Sequence, residues 1–185
     1  MRIGVFGGSF DPIHHGHLIA AVALRELLEL DEVRFVVAKT QPLKTVGHFA
    51  GAEDRATMVE LGTRGAHGLR VDRRELFRDG PSFTVETLQE IREAVPGAEL
   101  VLLLGADAAA EFERWREPET IRALARVEVF RRDGRGDGIV VPRVDISSTE
   151  VRARVSAGRS IRFWVPDAVA DYIVKHRLYE ASKPV

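Results

Sequence analysis

Two rhythms of apolar and polar positions alternate along the chain. Short apolar runs at residues 2–6 (RIGVF), 32–38 (EVRFVVA), 69–76, 99–105 (ELVLLLG), 127–130 (VEVF) and 139–142 (IVVP) each predict a strand. Between them, helical spacing predicts helices over 16–30, 53–64, 84–95, 106–115 and 118–125. Two further helices, near 148–157 and 166–177, close the chain, punctuated by Gly158 and Pro166. ELVLLLG is apolar almost throughout, the pattern of a strand covered on both faces in the middle of a parallel sheet.

The repeated strand–helix–strand order predicts an α/β protein: a Rossmann-like, doubly wound parallel sheet with helices on both faces. At 185 residues the chain is expected to form a single domain, 1–185, whose C-terminal helical part begins at about 146. GRGDG (134–138) reads as a flexible connection, and there is no internal repeat. In such sheets ligands gather outside the carboxyl ends of the strands, which directs attention to the loops after residues 6, 38, 105 and 145.

Composition narrows the function classes. Net charge is −1, so bulk electrostatic attraction to nucleic acid or membrane is not expected, and any anionic ligand needs a local site. There is no cysteine, which excludes disulfides and thiolate chemistry. The beginning, MRIGVFGGSF, lacks the apolar run and cleavage site of a secretory leader, and no stretch approaches the ~18 apolar residues of a membrane span. The expectation is a cytoplasmic protein.

Candidate chemistry concentrates in GGSFDPIHHGHL (7–18), where three of six histidines fall within four residues. Gly7 and Gly8 let backbone approach a ligand closely. The following helix start offers unpaired N–H groups and a positive dipole, which suit phosphate. His14 and His17 share a face, and imidazole N–H groups can donate to phosphate oxygens. Gly16 between them leaves room for something flat. The string matches neither Walker A nor GxGxxG. Two other readings stay open here: surface histidines in a polar loop, and a metal site from Asp11, His14, His15 and His17. In ISSTEVRARV (146–155), Ser147 and Glu150 have capping-box spacing. That alone explains a helix start, but Ser148, Thr149 and Arg152 add donors suited to the outer phosphates of a nucleotide.

Together, GSFDPIHHGH resembles the (T/H)xGH signature of the nucleotidyltransferase superfamily, and ISSTEVR resembles its second signature. FRDGPSFTVETL (77–88), LGADAAAEFERWREPETI (104–121), QPLK (41–44) with Arg55, and VPDAVADYIVKHRLY (165–179) resemble segments of bacterial nicotinate-nucleotide adenylyltransferases. The likeness covers nearly the whole chain. It implies transfer of AMP from ATP to nicotinate mononucleotide, giving nicotinate adenine dinucleotide and pyrophosphate. Mg²⁺ would be held by the ATP phosphates rather than by a protein metal site. The implied partners are these two nucleotides, with neither nucleic acid nor membrane, and a homo-oligomer is compatible with the sequence.

The resemblance also implies residue roles. His14, His17 and Arg152 act on the ATP phosphates. Gly7, Gly8, Ser9, Phe10, Gly105, Asp107, Ser147, Ser148 and Thr149 bind ATP, with Asp107 on the ribose hydroxyls. Lys44, Arg55 and Arg132 face the mononucleotide phosphate. Trp115 stacks near the nicotinate ring, and backbone N–H groups around Phe83 and Thr84 reach its carboxylate. The residue-level alternatives are a core position for Phe10, a helix cap for Asp107, plain surface charge for Lys44 and Arg55, and a core tryptophan. The chain departs from the family's usual pattern at Arg116 and Phe83, where many members carry tyrosine, and at Gln41-Pro42-Leu43 before Lys44. The rival functions are phosphopantetheine adenylyltransferase, which shares both signatures but leaves 77–88 and Trp115 unexplained, and a catalytically silent nucleotide sensor.

Overall fold

The computed structural model describes residues 1–40, 48–133 and 137–181. The predicted strands assemble into one six-stranded sheet: β1 (Arg2–Gly8), β2 (Glu32–Val37), β3 (Leu69–Asp72), β4 (Glu99–Gly105), β5 (Arg126–Arg131) and β6 (Ile139–Val140). All neighbours pair in parallel, in the order β3-β2-β1-β4-β5-β6. The chain builds outward from β1 to β3, then crosses back to lay β4 on the other side of β1. The carboxyl ends of β1 and β4 therefore flank the switch point where a ligand crevice opens.

Side chains alternate across the sheet and divide the core in two. Phe6, Phe35, Val101, Leu103 and Phe130 pack beneath α1 (His15–Leu27), α2 (Ala52–Thr63), α6 (Ser148–Ser156) and α7 (Asp167–Lys175). Ile3, Val5, Leu100, Leu102 and Leu104 pack against α3 (Thr84–Ala94) and α5 (Pro118–Leu124). Both faces are covered, as the unbroken apolar run of β4 requires.

Several boundaries differ from the sequence expectation, each for a local reason. β1 runs on to Gly8, pairing Gly7 with Val36 and Gly8 with Val37, so these glycines end a strand rather than begin a loop. α1 stops at Leu27 instead of residue 30 because Glu29 takes left-handed φ of 51°. Leu30 N then donates to Arg25 O and Glu29 N to Glu26 O, the paired bonds of a Schellman motif. β3 ends at Asp72, whose carboxylate accepts the Arg74 N–H at 3.1 Å and turns the chain into a 3-10 segment over Arg74–Phe77. The helix expected over 106–115 divides into α4 (Ala106–Ala110) and a 3-10 turn, Phe112–Arg114, which buries Phe112.

One buried cation organises the loops above the sheet. Arg55, on α2, is 0% exposed. Its guanidinium donates to Ser9 O (2.7 Å), Ala50 O (3.2 Å) and Lys39 O (3.4 Å). These carbonyls belong to the loops after β1 and β2 and to the approach to α2. Burial lowers the Arg55 pKa, while the nearby Asp11 and Tyr179 oppose that shift. The Asp11 carboxylate is itself buried and accepts from Phe49 N (2.7 Å), Ala50 N (3.2 Å) and the Tyr179 hydroxyl (2.7 Å). Arg55→Met would leave three carbonyls short of a donor and the Asp11 charge uncompensated. Urea unfolding is expected to show a loss of about 3 kcal/mol or more. A loss below about 1 kcal/mol would mean that this cation does not hold the loops.

Candidate active site

A cleft of about 830 Å³ opens at the switch point. Gly7 and Gly8 from β1, Gly105 and Asp107 from the end of β4, and Phe83, Thr84 and Trp115 line it. The two β1 glycines are needed for different reasons. A Cβ at Gly7 would meet nothing within 4 Å and would project into open space. At Gly8 it would come within 2.8 Å of the Phe10 ring. Gly8 thus lets Phe10 fold under the loop. Phe10 itself adopts left-handed backbone (φ 48°).

His14 is the extended residue immediately before α1, and its carbonyl accepts the His17 and Leu18 N–H groups. Its ring stacks on His17 with centroids 3.7 Å apart and planes 24° from parallel. The flat object that Gly16 accommodates is this imidazole. A Cβ at Gly16 would stand 3.0 Å from both Nδ1 and Cε1 of His14. Phe10 meets the other ring edge-on, 5.2 Å from His17. Burial lowers the His14 pKa to about 3, with further depression from Arg132 and His15. Burial also drives His17 well below its ordinary value, helped by His14 and Arg132. Both rings are therefore neutral at pH 7, and their buried Nδ1 atoms have no hydrogen-bond partner. Each neutral ring has one N–H to donate, and the charge of Arg132 is felt at both, a setting suited to an anion.

The second motif closes on the first from the far end of the chain. Ser147 caps α6, accepting the Glu150 N–H at 3.2 Å. The Ser148 hydroxyl donates to Pro12 O at 2.9 Å. Arg152 donates to Asp11 O (2.7 Å) and to Thr149 Oγ1 (3.2 Å), and its Cζ lies 4.1 Å from the centre of the Phe49 ring. Two loops more than a hundred residues apart in sequence are thereby joined beside the histidine pair.

Residues 5–154 match the family model described as Cytidylyltransferase-like. A Thermus thermophilus protein carrying the name "Probable nicotinate-nucleotide adenylyltransferase" is 46% identical over 97% of this chain and 100% of its own length. A protein of the same name from Rhodopirellula baltica is 39% identical, covering 96% of this chain and 92% of its own. The chain belongs to the nicotinate-nucleotide adenylyltransferase family. Among solved structures, a Plasmodium falciparum nicotinic acid mononucleotide adenylyltransferase complexed with NaAD superposes with a TM-score of 0.77. It is 21% identical and covers 96% of this chain and 97% of its own, so that likeness concerns the fold.

The expected residues of this adenylyltransferase-family chain occupy several distinct environments. Gly105 precedes α4 as its cap residue, and Asp107 sits exposed in the first turn of α4, facing the cleft, rather than capping a helix at 108. Trp115 is half-buried against Phe112 and also lines the cleft, so it is only partly a core residue. The charge of Arg132 contributes, after burial, to the lowered pKa of both histidines. Phe10, expected in the nucleotide loop with a core position as the alternative, takes the core position: its ring is 3% exposed and packs among Phe6, Phe35 and His17. Arg55 is a second correction. It is neither surface charge nor directed at a mononucleotide phosphate, because backbone carbonyls claim its guanidinium. Ser9 presents its carbonyl to Arg55. Lys44 lies outside the described residues. Among the described residues no three His, Asp or Glu side chains converge as a metal cage, and Asp11, a candidate ligand, is occupied by backbone and Tyr179 donors.

Sequence reasoning missed two features. Tyr179 pairs with Asp11, and burial together with that carboxylate pushes the phenol pKa up. Arg116 lies over Phe83. The adjacent residues were already prominent in their motifs, but pairing over such separations leaves no periodic trace.

The shifted histidine makes a pH prediction. His14 binds its proton more weakly in the fold, at about 3, than in the unfolded chain at about 6.5. The unfolded chain therefore takes up more protons as pH falls through that window, and folding stability declines across it. In an NMR titration of the ligand-free protein the His14 Cε1–H signal should stay flat from about pH 8 to about pH 5. A midpoint near the ordinary value would show that the ring is solvated instead of buried.

Proposed function

We propose that this chain transfers AMP from ATP to nicotinate mononucleotide, releasing pyrophosphate and forming nicotinate adenine dinucleotide, a precursor of NAD. The observation that carries this reading is the shared end of β1: Gly7 and Gly8 line the cleft whose other end is Phe83, Thr84 and Trp115, and the loop they lead into carries the stacked histidine pair and is bonded to the start of α6. Such a site suits a polyphosphate next to a planar ring. The names of the full-length relatives support the same chemistry. We read residues 1–185 as one nucleotidyltransferase domain, because α6 hydrogen bonds directly to the loop after β1. Among the described residues no helix is long and apolar enough to cross a membrane, and we place the protein in the cytoplasm.

The chemistry needs no protein nucleophile. The 5′-phosphate oxygen of the mononucleotide attacks the α-phosphorus of ATP in line. One P–O bond forms, the bond to the β-phosphate oxygen breaks, and pyrophosphate leaves with that electron pair. Catalysis then rests on positioning and charge stabilisation. Mg²⁺ arrives as part of the MgATP substrate, held by phosphate oxygens. Gly7 and Gly8 let the triphosphate approach the backbone. His14 and His17 donate to its oxygens, with Ser148, Thr149 and Arg152 on the outer phosphates. Gly105 and Asp107 hold the adenosine side, Asp107 accepting from the ribose hydroxyls. Trp115 stacks near the pyridine ring, and N–H groups around Phe83 and Thr84 face its carboxylate.

A pyrophosphate-release assay with MgATP and each acceptor tests the reading. Nicotinate mononucleotide should exceed its amide by on the order of 100-fold in kcat/KM, because N–H groups aimed at a carboxylate are left unpaired against an amide NH₂. Faster turnover with phosphopantetheine would transfer the assignment to that rival, and no turnover with any acceptor would favour a sensor. A second test separates the histidines. His17→Ala should lower kcat about 10²–10³-fold, with a far smaller rise in KM for ATP, as expected for a donor aimed at charge developing in the transition state. His15→Ala should cost less than about tenfold, because helical spacing turns it from the phosphates. A His17 variant that stays folded by circular dichroism and keeps near-wild-type kcat would remove His17 from this role.

A further inference from the structure

The acceptor end of the cleft contains a cation that none of these steps uses. The Arg116 guanidinium lies over the Phe83 ring, Cζ 4.7 Å from its centroid, and Arg116 lines the cleft beside Trp115. Nη1 donates to Glu86 Oε1 at 3.0 Å, and Nε stands 3.6 Å from Glu117 Oε1. Glu86 belongs to the first turn of α3, immediately after Phe83 and Thr84. Glu86 is thus within one helical turn of the N–H groups assigned above to the ring carboxylate of the acceptor, and its carboxylate is bonded to a cation that lines the cleft. Glu86 also has a second cationic neighbour, Arg78, at 3.8 Å. Arg78 is more closely engaged by Glu90, at 2.7 Å. Arg116 is therefore the main counter-charge for an acidic side chain that would otherwise repel an anionic acceptor.

We propose that Arg116 is a specificity-determining positioning residue of the acceptor site: by pinning Glu86 and covering Phe83, it keeps this end of the cleft receptive to a carboxylate-bearing pyridine. The proposal rests on the function proposed above. It also accounts for arginine and phenylalanine occurring together here, since the two side chains form one stacked unit.

Arg116→Met retains length and bulk over Phe83 but removes the charge. Unmasking Glu86 near a like charge across partly screened space should lower kcat/KM for nicotinate mononucleotide about tenfold, and that for nicotinamide mononucleotide less than about threefold. Adding Glu86→Gln to the same chain should recover most of the lost discrimination, because the repelling carboxylate is gone. A purely structural role predicts the reverse, with the double variant at least as damaged as the single. Arg116 is half-exposed, so folding should survive, and Arg116→Gln provides a second variant with the same expected direction. Steady-state kinetics with both acceptors reads all arms. An unchanged acceptor ratio in the single variants, or no recovery in the double, overturns the role of Arg116 while leaving the proposed function intact. A wild type that adenylates neither acceptor removes the proposed function itself, and this inference with it.

Discussion

The buried guanidinium of Arg55 is the constraint on which the upper side of the sheet depends. The loop after β1 has to change direction sharply between Gly8 and α1, and its carbonyls cannot be satisfied by the sheet. Arg55 reaches Ser9 in that loop, Lys39 after β2 and Ala50 before α2. Its planar fork of donors is suited to several acceptors at once, which a lysine could not match. Asp11 supplies the nearby negative charge and carries the connection on to the Tyr179 hydroxyl beyond α7. The loop is thus fixed from beneath, by groups pointing away from the cleft. The Nδ1 atoms of His14 and His17 take no part in that network, whereas Ser148 and Arg152 join it through Pro12 O and Asp11 O.

That division explains the histidine pair. Two stacked neutral imidazoles with unpartnered Nδ1 atoms are a poor bargain for stability, since a buried polar atom without a partner costs free energy. The arrangement persists because Phe6, Phe10 and Gly16 fix the rings sterically. A glycine is required at 16, where a Cβ would press on His14. Phe10 bears a left-handed backbone to bring its ring under His17. Local strain and unsatisfied polar atoms gathered at one spot mark a site shaped for a ligand more than for the stability of the ligand-free fold.

The sequence made the layers legible because burial on a sheet or helix leaves a period. ELVLLLG reads as a central strand between two turn signals, and α1 and α3 show their apolar faces. Element ends were less visible. Glu29 ends α1 in a left-handed conformation usually filled by glycine, and Asp72 stops β3 through a side-chain turn. At the site, the meeting of GGSFDPIHHGH with ISSTEVR was legible because both motifs contain donors at helix starts. The direction in which a long cation points was not. Arg55 and Arg116 are the same residue type, yet one is buried among carbonyls and one stacks on a ring. Such choices are set by tertiary neighbours with no fixed sequence spacing.

The topology also separates the two halves of the proposed reaction. The phosphate-side groups come from the layer of α1 and α6, packed on the sheet face that includes Phe6 and Phe35. The acceptor-side groups come from α3 and the segment after β4, packed on the opposite face with Val5 and Leu102. The halves meet only along the carboxyl edge of β1 and β4, where Gly7, Gly8 and Gly105 keep side chains out of the way. An in-line displacement needs attacking and leaving groups on opposite sides of the phosphorus. On the proposed function the α1 and α6 layer would present the triphosphate, while the segment after β4 would serve both substrates, through Asp107 on the adenosine side and Trp115 at the acceptor ring. Substitutions at Arg116 or Phe83 would then act on the acceptor ring without touching the histidine pair, which packs with Phe6 and Phe10 on the opposite face.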